Sequence, residues 1–243
     1  MRGEVSVVRR LSAELLGSAL LAAVVVGSGI AAQRLSPDDV GLQLLENALA
    51  TALGLPVLIL LFATVSGSHF NPVVTLVDVL TGGRRWTDAA GYVPAQIIGC
   101  IGGAILANLM FGDRAVSIST TERLTPGTFL AEVVATAGLV MVIFVLARTG
   151  RHPLIAWAVG AYIGAAYFFT SSTSFANPAI TIGRIFSDTF AGIAPASALS
   201  CWARPCWRLS SSVPASPRSD CHRAMSGCSC SRTRWRPRSA CPC

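Results

Sequence analysis

The sequence predicts an all-α integral membrane protein, built as an inverted repeat with two Asn-Pro re-entrant half-helices and with its sixth transmembrane helix replaced or damaged. Three observations carry that prediction. The 243 residues are 52% hydrophobic and 13% charged, with a mean hydropathy of +0.59, whereas a soluble domain carries about 25% charged residues. Apolar runs near the ~20 residues that span a bilayer recur through residues 1–200. Two Asn-Pro dipeptides, at 71–72 and 177–178, each open a run of only half that length.

The elements follow in order. A first spanning helix is predicted over Leu11–Ala32, behind Arg9 and Arg10; it is too long for a signal h-region and is read as retained. A second covers Leu42–Val65, a third Ala89–Phe111, a fourth Thr128–Leu146 and a fifth Pro153–Thr170. Between the second and third lies Asn71–Leu80, and after the fifth lies Asn177–Phe186. Each is about ten residues, or roughly 15 Å of helix, half of a ~30 Å hydrocarbon core. Such a piece must sit within protein or line a water-filled cavity. Trp86 and Trp157 are interfacial or packing aromatics, and Gly99, Gly102, Gly103, Gly160 and Gly164 mark close helix packing.

The two halves repeat. Ala13-Glu14 matches Ala131-Glu132 at an offset of 118, and Asn71-Pro72-Val73 matches Asn177-Pro178-Ala179 at an offset of 106. Three spanning helices per half is an odd number, so the second copy enters from the opposite side, and paired broken segments mark a permeation site. Asn is a strong helix N-cap, its oxygen accepting from first-turn N–H groups, and Pro fits the first helical position. Each capping Asn is expected to keep its NH2 free toward a lumen. Arg2, Arg9, Arg10, Arg84, Arg85, Arg148 and Arg151 cluster on one set of loops, which predicts a cytoplasmic N-terminus. The predicted organisation is a cytoplasmic N-terminus (1–8), a first repeat (9–111), an extracellular loop (112–127), an incomplete second repeat (128–200) and an aberrant tail (201–243).

These residues resemble the aquaporin family, the major intrinsic proteins. The resemblance rests on Ser66-Gly67-Ser68-His69-Phe70-Asn71-Pro72-Val73-Val74-Thr75, on Asn177-Pro178-Ala179, on the two Ala-Glu pairs and on Ala95-Gln96 with Gly99; it covers about residues 8–200. It implies a passive channel for water or small uncharged solutes, a homotetramer with one pore per protomer in the inner (plasma) membrane bilayer, and neither a cofactor nor catalysis. It gives Glu14 and Glu132 the role of bracing the half-helices from behind. The alternative is a coupled transporter using both carboxylates as proton sites. His69 either lines the pore mouth or bonds loop backbone.

The sequence departs from the family pattern at the constriction. Val73 stands where the first motif usually has Ala, and Ile180 stands where the residue after the second motif is usually Arg; Arg184 follows one turn later. By position the rest of the constriction is assigned to Leu53, Ala165 and Ser174. A lining of Leu, Ala, Ser and Ile predicts a wide, apolar filter suited to glycerol-like solutes or neutral metalloid hydroxides such as arsenite.

Charge locates a seam near Ser200. Residues 1–200 hold eleven Arg and eleven Asp or Glu, so the net +7 comes entirely from residues 201–243, which also carry seven of the eight Cys. The balance in the first 200 residues gives no nucleic-acid signature, and the tail Cys lack the paired C-x2-C spacing of common zinc modules, so no metal site is expected. A sixth helix is expected to start near Thr189, but the apolar text ends near Ala203. Cys201-Trp202-Ala203-Arg204, read two bases later, becomes Leu-Gly followed by Ser, Pro, Thr or Ala, which is ordinary membrane-helix text. A frameshift near codon 200, with a disordered tail beyond it, is the expected cause, and it makes a non-conducting product the competing outcome.

Overall fold

The computed structural model describes residues 5–123, 125–171 and 176–198, and those residues are all helix and connecting loop. Among the described residues, five long helices are apolar enough to cross a bilayer: α1 (Val7–Leu35), α2 (Val40–Phe62), α4 (Trp86–Met110), α5 (Pro126–Arg148) and α6 (His152–Phe169). Two short ones interrupt them, α3 (Pro72–Leu80) and α7 (Pro178–Gly183), the latter running into a 3-10 turn at Arg184–Phe186. The order is the predicted one. Boundaries move outward most at α1, because its flanking Val7–Arg10 and Gln33–Leu35 continue the backbone ladder past the apolar run.

Local chemistry explains most of the starts. Asp39 caps α2 by accepting from Leu42 N–H at 2.9 Å. Thr125 and Thr128 form a capping box on α5, with Pro126 in its first turn. The predicted Asn177–Phe186 half-helix is shorter as an α-helix than expected. Its last turn tightens because Phe186 and Ile185 carbonyls accept from Ser117 and Ser119 N–H across a loop, and Arg184 O accepts from Ile193 N–H. Those same bonds make residues 187–194 a stitched loop, so the helical backbone expected from Thr189 begins at 195 among the described residues.

Packing follows membrane rules, in which small residues let helices approach closely. Gly99 and Gly103 of α4 lie against the Leu15 and Ala19 carbonyls of α1, where a Cβ would stand only 2.3 and 2.0 Å from oxygen. Gly160 of α6 meets the Ala52 carbonyl and Pro56 of α2 in the same way. Leu21, Val25, Leu55, Phe70, Val74, Leu139, Val159, Ile163 and Ile180 form the central core. Leu49, Leu60, Leu130 and Met141 face outward and exposed, as lipid-facing side chains do. The constriction candidate Ser174 and the whole predicted tail, 201–243, lie outside the described residues.

Candidate functional site

The two half-helices start head to head inside the bundle. Asn71 Oδ1 accepts from Val73 N–H at 2.9 Å, and Asn177 Oδ1 accepts from Ala179 and Ile180 N–H at 3.0 and 3.3 Å. Pro72 and Pro178 occupy first helical positions, with Val73 and Ala179 following. The amides were expected to be free, and the structure differs. Asn71 Nδ2 donates to Ala176 O at 2.7 Å, and Asn177 Nδ2 donates to Phe70 O at 2.8 Å. Each motif is therefore stapled to the other half through one N–H, leaving the second N–H of each amide for the cavity. Phe70 and Ala176 present those carbonyls because both adopt positive φ, 48° and 41°, a conformation that costs a non-Gly residue on the order of 1–3 kcal/mol.

Buried carboxylates stand behind both staples. Glu14 is fully buried. Its Oε1 accepts from Ser66 Oγ at 2.6 Å and His69 N–H at 3.0 Å; its Oε2 accepts from Phe70 N–H and Gln96 Nε2, both at 2.8 Å. Glu132 Oε2 accepts from Ala176 N–H at 2.8 Å, the repeat equivalent of the Phe70 bond. Asn and Glu thus hold each loop from its two sides.

A cavity of about 220 Å³ runs past the staples. Asn71, Asn177, Phe70 and Ala176 lie along it, with Val25, Leu55, Leu139, Val159, Ile163 and Ile180 supplying an apolar wall. Ile180 and Arg184 line it, but Leu53 and Ala165 do not: Leu53 is 57% exposed, and Ala165 is exposed too. The cavity-lining positions two residues to either side are Thr51 and Leu55 on α2, and Ile163 and Tyr167 on α6. An error of two residues turns a helix by about 200°, to the opposite face. Thr51 Oγ1 and Tyr167 Oη are 3.2 Å apart and give this wall a polar point.

Arg184 is buried at 4% exposure, and its Nε donates to the Ala191 carbonyl. Arg123 donates from Nε to Gly192 O at 3.0 Å and from a terminal nitrogen to Phe190 O at 2.6 Å. Two arginines therefore clamp three successive carbonyls at the α7 end of the cavity. At the other end, His69 lines the cavity, and its ring Nδ1 lies 3.0 Å from the Thr75 Oγ1 of α3, a side chain rather than loop backbone. Sequence reasoning missed Thr51, Tyr167 and Asp78. The last carried a signal, being the one charged side chain in an apolar half-helix.

Spanning helices around a lined cavity, crossed at mid-depth by two reciprocally stapled half-helices, define a helical membrane channel. The major intrinsic protein family model matches residues 2–169, and the chain belongs to that family of passive channels. Among similar proteins, the aquaglyceroporin AqpS of Rhizobium meliloti (strain 1021) is 47% identical over 192 residues, which is 79% of this chain and 82% of that protein. The glycerol uptake facilitator protein of Pseudomonas aeruginosa is 30% identical over 215 residues, 75% of each chain. The X-ray structure of the aquaglyceroporin from Plasmodium falciparum has the same fold, with a TM-score of 0.60 and 24% identity, covering 73% of this chain and 79% of that one.

Proposed function

We propose that this channel passes small uncharged solutes as well as water, with glycerol-like polyols and neutral arsenite as the representative cargo. The observation that carries the reading is the cavity wall beside the second motif. Ile180 occupies it, and its neighbours Leu55, Ile163 and Val159 are apolar. The cation nearest in sequence, Arg184, is tied to the Ala191 carbonyl. A solute with a carbon or metalloid body and several hydroxyls matches such a lining, since its body meets side chains and its hydroxyls meet the two Asn amides, Thr51 and Tyr167. Stopped-flow measurements of water, glycerol and neutral arsenite in proteoliposomes test this. Flux of all three is expected; water flux with exclusion of the other two overturns it.

The similarity to the aquaglyceroporin AqpS and to the Pseudomonas glycerol uptake facilitator supports the water and glycerol part of that cargo. Glu14, with four donors on its two oxygens, supports a bracing role over proton coupling. A homotetramer in the inner membrane with the N-terminus in the cytoplasm completes the reading; native mass spectrometry and protease accessibility of the N-terminus check it. The seam at residue 200 favours a second reading, a frameshifted product that does not conduct, and comparing this chain with its frame-restored version separates the two.

A further inference from the structure

The mouth at the α3 end carries a cluster that passive conduction does not require. His69 Nε2 lies 3.3 Å from Asp78 Oδ2, and Arg84 Nε lies 3.5 Å from the same oxygen. The other imidazole nitrogen, Nδ1, is 3.0 Å from Thr75 Oγ1. Gln96 Nε2 donates to that hydroxyl at 3.0 Å, so the hydroxyl proton serves either Asn71 O at 3.1 Å or His69 Nδ1. The ring is thus held at both nitrogens. Tyr92 packs edge-on against it, with centroids 5.6 Å apart.

His69 and Asp78 both line the cavity. On the wall side, Thr75 and Tyr92 are almost fully buried, so the free space open to a released imidazole is the cavity itself. Side chains occupy discrete rotamers, and a change of rotamer would therefore carry the ring into the path of the solute.

We propose that Asp78 is a positioning residue for conduction, pinning the His69 imidazole against the wall and so setting the width of this mouth. The proposal rests on the channel reading, and two measurements on the full chain in liposomes keep them separable. The first is labelling by diethyl pyrocarbonate, read at His69 by peptide mass spectrometry, which needs no flux. D78N is expected to label at His69 about tenfold faster than the native chain, the effect of losing one charge-assisted hydrogen bond on a local equilibrium. D78S serves as a second neutral variant if D78N fails to insert. The second measurement is glycerol flux, expected to fall in D78N and to recover in the double variant H69A/D78N, where the intruding ring is gone. Equal labelling of the native and neutralised chains overturns the proposal. So does a flux loss that H69A/D78N does not restore, because a merely structural Asp78 would behave that way. A native chain without flux overturns the channel reading instead, and labelling then decides the positioning role by itself.

Discussion

Glu14 and Asn177 show how single side chains carry this pore. Glutamine at position 14 keeps one acceptor oxygen and turns an NH2 toward donors that now face a carboxylate. E14Q is expected to destabilise the protein by about 2–3 kcal/mol, the worth of a charge-assisted hydrogen bond plus a stranded donor, measured as earlier thermal aggregation in detergent. A proton relay would instead leave stability intact and remove a pH-gradient-dependent flux. N177A strips the cap from α7 and strands the Phe70 carbonyl. It is expected to cost about 2 kcal/mol or more and to lower water flux in the same liposome assay. Both residues were legible in the sequence because a carboxylate or an Asn-Pro within apolar text has few roles. Thr51 and Tyr167 were passed over. On α2 the line Gln43, Asn47 and Thr51, at four-residue spacing and buried, was a readable sign of the inward face, whereas α6 carries few polar side chains to announce its own, and the assignment fell on Leu53 and Ala165 instead.

At the level of elements, close approach rather than apolar attraction sets the packing. G103A puts a methyl group at the Ala19 carbonyl, where the Cβ position lies 2.0 Å from oxygen, while Gly102 has nothing within 4 Å. G103A is therefore expected to force α1 and α4 apart and destabilise by about 1–3 kcal/mol, as overpacking does. G102A should stay within about 0.5 kcal/mol of the native chain, as exposed substitutions do. Thermal melts of the two variants side by side check the contrast. Among the described residues, the order of the elements was readable from run length and repeat. The 3-10 ending of α7 was not, because it depends on loop residues 117–119 and 193 that pair only once the chain is folded.

Across the whole molecule, the described cavity draws its lining from α1, α2, α3, α5, α6, α7 and the loops before the half-helices; α4 contributes none of it. The inverted repeat assigns the expected sixth helix to the position that α4 holds in the first half, which is a buttress behind the half-helix. If a frameshift near codon 200 replaced that helix, as proposed, restoring the frame is expected to raise yield and thermal stability while leaving the glycerol-to-water permeability ratio unchanged, read by stopped flow on both chains. A changed ratio would show that the tail region shapes the filter. The DNA itself is the other check, since the shifted frame should encode an apolar stretch of about 20 residues. The net charge of +7 belongs to that seam and not to the pore.

The reciprocal staples also set a schedule for biosynthesis. Phe70 and Asn71 reach the membrane with the first half, but their partners lie 107 and 105 residues further along the chain. At roughly 5–20 residues per second of synthesis, a carbonyl and an amide wait on the order of ten seconds, unpaired, at the centre of a half-built bundle. That interval is when a nascent chain of this kind is most visible to membrane quality control, and it ends only when the second Asn arrives.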